Sequence, residues 1–299
     1  MVRIFQPIHL GCPVCNQDPN RHSAYGISAH RRLTESRYKG HLCGHEFSLF
    51  EGLRQGCNGT FGILSTFSHW QWSSEKEVIV GRLFKVPVPI PADINLFAAF
   101  LTPYTPSDGP QVHYIPRVLD MSGPELLIST TGSLVTPSDQ LGAEMRLFVS
   151  VYGFRKPDSR GWVRLLYESL TDYSEKNHGI AIFKLATSLE IACENAVEAY
   201  LNGKGVSPRL VQRLLRSGRS WDARLGRLCD VASTYLGPVE LEAFEKSVKD
   251  SVRTIRDYRN SFAHDDPATA DYKAATEAFV TAFPIFWGIE RTLMGCSNC

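Results

Sequence analysis

Arg253-Thr-Ile-Arg-Asp-Tyr-Arg-Asn-Ser-Phe-Ala-His-Asp-Asp266 closes a long amphipathic run of the chain. Leu241, Phe244, Val248, Val252, Ile255 and Phe262 recur every three or four residues, the spacing that one buried helical face requires. Arg256, Asn260 and His264 stand at i, i+4 and i+8 beside that face, so a straight helix stacks them in a row with Arg259 adjoining. Asp265, Asp266 and Pro267 then stop the helix. Guanidiniums, a carboxamide and an imidazole pressed together suit a phosphodiester. Arg keeps its charge and grips phosphate oxygens through paired hydrogen bonds, and His titrates near enough to neutrality to take and return a proton. A helix end with surface charges and a capping His has the same spacing.

Upstream, Gly161-Trp162 opens a helix that runs to about Asp172, with Trp162, Leu165, Leu166 and Ser169 on one face. A second helix, about 179 to 201, turns Ile182, Phe183, Ala186, Leu189, Cys193, Val197 and Leu201 inward. Glu190 falls within that apolar stripe, where a carboxylate is costly unless a cation meets it, and Arg256 or Arg259 can do so. Ser207-Pro208 reads as an N-cap and first-turn proline opening the most basic stretch of the chain. In that stretch Arg209, Arg213 and Arg216 share one helix face, a pattern that favours a surface tracking phosphates. A final helix, about 268 to 293, packs through Phe279, Phe283, Phe286 and Ile289 with a kink at Pro284.

Arg259-Asn260-Ser-Phe-Ala-His264, late in such a bundle, resembles the signature of HEPN domains of the kind found in bacterial defence proteins. The resemblance spans roughly Tyr152 to Leu293 and leaves out the N-terminal half. It implies an endoribonuclease that needs no metal and works as a homodimer through the helical domain, with two Arg–His motifs facing one cleft. His264 would move the proton, Arg259 would stabilise the phosphorane, Asn260 would orient one of them, and Arg256, Arg209, Arg213 and Arg216 would hold RNA, with Glu190 in support. Products would carry a 2′,3′-cyclic phosphate and a 5′-hydroxyl. The family association is with toxins and anti-phage defence. Some members carry a tyrosine shortly after the His; here Asp265 and Asp266 follow, and the next tyrosine is Tyr272.

At the other end, Cys12-Pro-Val-Cys15 has the spacing of a metal knuckle, in which two thiolates from one turn take adjacent tetrahedral positions on zinc. Gly40-His41-Leu42-Cys43-Gly44-His45 resembles the Cys-x-x-Cys-Gly-His of zinc ribbons, except that Gly40 stands where the first Cys would be. Cys43 is the third ligand of this reading. His41 is the first choice for the fourth, ahead of His45 and then Cys57; Cys296 and Cys299 are an alternative pair to complete the site with Cys12 and Cys15. A closed four-ligand zinc site holds structure and does no chemistry. Arg21, His22, His30, Arg31, Arg32, Arg37 and Lys39 make the segment between the knuckles basic.

From about 60 to 150 the pattern changes to short runs broken by Pro, Gly, Ser and Asp. Residues 77–80, 83–86, 112–115, 125–128 and 145–149 read as strands, and Pro87, Pro89, Pro91, Pro103, Pro106, Pro110 and Pro116 favour edge strands or loops over helices. Phe67, Trp70 and Trp72 can stack bases but more often form core. No phosphate loop or nucleophile motif stands out.

The expected architecture is therefore α+β: a zinc-ribbon-like segment at 1–60, a small antiparallel β domain at 61–150 and an all-α, HEPN-like bundle at 151–299. A chain of 299 residues is long enough for a substantial core. A formal net charge of +1 means that any affinity for nucleic acid comes from local patches. Without an N-terminal apolar h-region, and with Ala274 to Leu293 broken by Glu277, Pro284, Glu290 and Arg291, the reading is a soluble cytoplasmic protein. Its eight cysteines then read as metal ligands and buried thiols rather than disulfides.

Overall fold

A computed structural model describes residues 8–15, 27–30, 35, 37–40, 43–57, 67–104, 117–121, 123–130, 141–155, 161–217, 220–264 and 270–296, with backbone alone at 8–9, 27–30, 56–57, 102–104, 117, 155 and 264. The fold is mixed α+β, with small antiparallel sheets early and helices in the C-terminal half. Two compact units result: Met1–Phe67 together with Asp158–Cys299, and Ser68–Pro157.

In the first unit, β1 (Ile8–Gly11) pairs with β2 (Ile27–His30), and β3 (Arg37–Lys39) pairs with β4 (Glu46–Ser48), both antiparallel. Helix α1 (Leu49–Cys57) starts at a capping box: the Ser48 amide and hydroxyl donate to Glu51 Oε2 at 2.7 and 2.8 Å, and the Glu51 amide donates to Ser48 Oγ at 3.3 Å. Tyr38 and Phe47, both buried, stack across the β3–β4 pair.

The second unit holds two three-stranded sheets around one aliphatic core. In the first, β10 (Glu144–Arg155) lies between β5 (Trp70–Ile79) and β7 (Ile94–Tyr104). In the other, β9 (Glu125–Ser129) lies between β6 (Leu83–Pro87) and β8 (Arg117–Asp120). The alternating Met145, Leu147, Val149 and Val151 of β10 meet Val86, Leu126 and Ile128 of the second sheet, as period-two patterning dictates. The strands expected at 77–80, 83–86, 125–128 and 145–149 overlap β5, β6, β9 and β10, of which β5 and β10 run well beyond the expected bounds, and residues 112–115 lie outside the described ones. Strand β7 was not expected, because Ile94-Asn-Leu-Phe-Ala-Ala-Phe-Leu is apolar almost throughout and carries no alternation. Its Pro103 pairs with Leu147 on an edge strand, the place in a sheet where proline is tolerated. Trp70 and Trp72 pack against this core.

The helical part comprises α2 (Gly161–Ser174), α3 (His178–Gly203), α4 (Pro208–Arg216), α5 (Trp221–Ala232), α6 (Pro238–Ser251), a π turn (Val252–Arg256), α7 (Asp257–His264) and α8 (Tyr272–Cys296). Helix α8 is buried on every side, so it forms the axis of the bundle. Phe67 inserts edge-on among its Phe279, Phe283 and Phe286, and Trp162 of α2 stacks on Phe286 at 5.8 Å. Pro284 lies within α8. Buried serines tie α2 to α3: Ser169 Oγ donates to the Ala181 carbonyl and Ser188 Oγ to that of Trp162, each at 2.7 Å.

Two expectations about helix faces need correction. Phe183, expected inward, is 36% exposed and lies against Phe262 with ring centroids 5.8 Å apart. The long helix is not a single α-helix either. Its buried stripe runs through Phe244, Ser247, Ser251 and Ile255, and the π turn then inserts one residue, which rotates everything after it by about 100°. After it, Phe262 lies at the margin of α3 against Phe183, and Arg259 meets Glu190 of α3.

Candidate functional site

Glu190 of α3 sits between two guanidiniums. Arg259 of α7 places Nη1 3.4 Å from Glu190 Oε1 and Nη2 3.4 Å from Oε2. Arg224 of α5 places Nη1 3.0 Å from the same Oε1 and donates from Nε to Glu194 Oε1 at 2.9 Å. Glu190 and Glu194 are one helical turn apart, so a single guanidinium spans both. The Glu190 and Arg224 side chains are only 15% and 18% exposed, so water screens this contact less than an open surface pair. Leu189, Cys193, Trp221 and Leu225 wall the cluster, and burial pushes the Cys193 thiol far up, which keeps it a neutral wall atom. Trp221 is fixed in turn by Nε1–H donating to Ser251 Oγ at 3.1 Å, just before the π turn.

The pairing of Glu190 with an arginine therefore involves Arg259 and not Arg256, which meets Asp222 at 3.3 Å and its neighbour Asp257 at 3.1 Å. Asn260 is exposed on α7. His264 ends α7, and its side chain, like Asp265 and Asp266, lies outside the described residues. Arg209, Arg213 and Arg216 are all exposed along α4 and make no ion pair among the described residues. Leu210 and Leu214 stand exposed among them, and Val211 is the buried residue of that helix. Ser207 takes the N-cap position with extended backbone, but its side chain makes no capping bond. Sequence reasoning missed Arg224 and Glu194. The available signal was the i, i+4 repeat of Glu190 and Glu194, whose cation could not be assigned without knowing which helix crosses α3.

A second cluster lies at the N-terminal hairpins. Cys12, Cys15 and Cys43 bring their sulfurs within 4.8 Å of one another, with Cys12–Cys43 at 3.5 Å and Cys15–Cys43 at 3.3 Å. This cluster can hold a metal ion. Cys12 and Cys15 are buried, whereas Cys43 is exposed. The loop carrying Cys43 is closed by the Gly44 amide donating to the Gly40 carbonyl at 2.7 Å and the Gly40 amide to the His45 carbonyl at 2.8 Å, with Gly44 at φ +69°. The His45 amide donates to Cys43 Sγ at 3.4 Å and, with Cys15, draws the Cys43 thiol below its usual range; burial pushes the Cys15 thiol up to about 11. Among the described residues no fourth ligand joins the three cysteines. His45 contributes its backbone and not its ring, and Cys296 lies at the end of α8 with its sulfur 3.6 Å from Tyr235 Oη, apart from the cluster. His41, the Cys57 side chain, Cys299 and much of the basic segment between the knuckles fall outside the described residues.

No protein-family model matches the chain, and no curated protein or solved structure matches it. No described helix is long and apolar enough to cross a membrane.

Proposed function

We propose that the chain is an endoribonuclease of HEPN type, cutting RNA without a catalytic metal and acting in anti-phage defence or as a toxin in the cytoplasm. The observation that carries this reading is Arg259: it shares α7 with His264 and is held at its guanidinium by Glu190 of the neighbouring helix. A π turn immediately before α7 adds support, since such turns often mark functional sites. In this mechanism the His264 imidazole takes the proton of the 2′-hydroxyl, and the resulting alkoxide attacks the adjacent phosphorus. Arg259 stabilises the charge on the phosphorane, Asn260 orients one of the two, and the 5′-oxygen leaves with the proton that the His264 imidazolium returns to it. The 2′,3′-cyclic phosphate and 5′-hydroxyl follow from that bond order. Two protomers pair through the helical domain, and Arg209, Arg213, Arg216 and Arg256 hold the RNA backbone. Zinc at Cys12, Cys15 and Cys43 ties the β1–β2 pair to the β3–β4 pair; thiolates about 2.3 Å from zinc stand roughly 3.8 Å apart, close to the observed spacing.

Incubating the purified protein with total RNA in EDTA tests this proposal. Sustained cleavage that is lost in His264→Ala, with 5′-hydroxyl ends that a polynucleotide kinase can label, is the expected result. A second reading is favoured by the occupation of both guanidiniums, Arg256 by Asp222 and Asp257 and Arg259 by Glu190: a non-catalytic module that binds RNA or nucleotide. Retention of RNA without cleavage is its signature. An adaptor that recruits a protein through the N-terminal and β segments would show neither.

A further inference from the structure

Helix α4 turns arginine and leucine to solvent side by side. Leu210 and Leu214, one turn apart, are 48% and 41% exposed, whereas Val211 is fully buried. At about 100° per residue, the ridge of Arg209, Arg213 and Arg216 lies opposite Val211, and the leucine ridge runs along its flank. The helix carries no acidic residue, and its three arginines, all exposed, make no ion pair among the described residues. Both neighbouring helices fix its placement: Gln212 Nε2 donates to Glu198 Oε1 of α3 at 3.5 Å, and Arg227 Nη1 of α5 donates to the Leu214 carbonyl at 2.9 Å. The leucines are thus held outward by a packed helix and not by a frayed one.

We propose that α4 docks reversibly on an anionic lipid surface, with its arginines on headgroup phosphates and Leu210 and Leu214 in the acyl boundary. A phospholipid layer supplies both things this helix presents a need for: phosphate charge for the guanidiniums and hydrocarbon for the leucines. RNA meets the arginines but leaves both leucines in water. A protein partner needs a larger face, since a stable interface takes about 800 Å² from each side and α4 offers nine residues. Long arginine side chains reach phosphates from the flank of a helix whose apolar ridge lies deeper. Docking of this kind needs no helix that crosses the membrane. It stands independently of the ribonuclease reading, and it gives Arg209, Arg213 and Arg216 a second anionic partner.

Flotation of the full-length protein with vesicles tests this. The wild type should float with vesicles of phosphatidylcholine and phosphatidylglycerol in equal parts and stay behind with phosphatidylcholine alone. Arg213→Gln should weaken that partition about fivefold. Leu210→Gln combined with Leu214→Gln should weaken it about tenfold and leave retention on single-stranded oligo(dU), which has no 2′-hydroxyl to attack, as in the wild type. Both leucines are exposed, so circular dichroism of the double variant should match the wild type. Leu214→Trp should add an indole emission that shifts to the blue on the anionic vesicles. A wild type that ignores those vesicles overturns the proposal. So does full partition of the leucine double variant, or an unshifted emission in Leu214→Trp, since either leaves only adsorption by charge. Retention on oligo(dU) without vesicle binding assigns α4 to nucleic acid instead, and self-association that the leucine substitutions abolish, without vesicle binding, assigns it to a second copy.

Discussion

Arg259 and Glu190 face each other across α7 and α3, each guanidinium nitrogen 3.4 Å from its own carboxylate oxygen, while Arg224 holds the same carboxylate from α5. The carboxylate thus neutralises two cations that would otherwise repel at close range, and it fixes where the Arg259 head group points. Glu190→Gln keeps the shape and removes the charge. It should destabilise the protein by about 2 kcal/mol, because it leaves the partly buried Arg259 guanidinium unopposed and Arg224 with Glu194 alone. It should also lower cleavage by loosening Arg259. Urea denaturation and an RNA cleavage assay on the same preparation check both; no change in either would end this account of the pair.

Arg259→Ala should lower cleavage by about 100-fold or more, since a donor aimed at developing charge contributes on the order of 3 kcal/mol. Glu190 keeps Arg224 as a partner in that variant, so the melting temperature should stay within a few degrees of wild type. His264→Ala should match it in activity. Single-turnover rates in EDTA, read beside circular dichroism, separate lost chemistry from lost fold.

Wild-type protein should carry about one zinc per chain by native mass spectrometry, on the three-cysteine reading of the site. Cys15→Ser should lose the metal and loosen the β1–β2 and β3–β4 pairs, whereas Cys296→Ser should keep both, since the Cys296 sulfur sits against Tyr235. Metal loss in Cys296→Ser would move the site to a different ligand set.

Gly288 lets α8 and α6 approach closely: a Cβ there would stand 2.5 Å from two ring carbons of Phe244, which is fully buried. Gly288→Ala should therefore cost about 1–3 kcal/mol despite the better helix propensity of alanine, because neither the ring nor the packed axis can yield. Thermal unfolding measures it, and an unchanged or raised melting temperature would contradict the packing described.

Burial holds the His178 imidazole below its ordinary 6.5, with Asp271 opposing the shift and Lys176 adding to it. The neutral form is the one that the fold favours, so the unfolded chain binds the extra proton first. This contribution to stability is whole above pH 6.5 and is lost progressively as pH falls below it, through the lowered folded value. His178→Gln should flatten the pH dependence of the urea midpoint between pH 7.5 and 5.5, and a slope equal to that of wild type would assign the dependence to other groups.

The amino-acid sequence alone determined the elements whose signals are local. The starts of α2 and α3, the Pro208 opening of α4, the alternation in β10 and the Cys12–Cys15 spacing all follow from short-range periodicity, propensity or ligand spacing. So did the oddity of Glu190 in an apolar stripe. What only the tertiary structure decided depends on which elements cross. The π turn is invisible to a three-to-four-residue repeat, which averages over a single inserted residue, yet it shifts the helix face that follows, and Phe262 lies at the surface margin instead of on the stripe. Arg224 was one charge in a basic run until α5 crossed α3, and Phe67, which the sequence already favoured as core, gained its partners only where α8 offered three phenylalanine edges. Gly40 divides the same way. Its identity marks the missing cysteine, but only the folded hairpin aims its Cα–hydrogen direction at Cys12 and Cys43, because that direction is fixed by backbone bonds to His45 and Gly44 and not by the residue type.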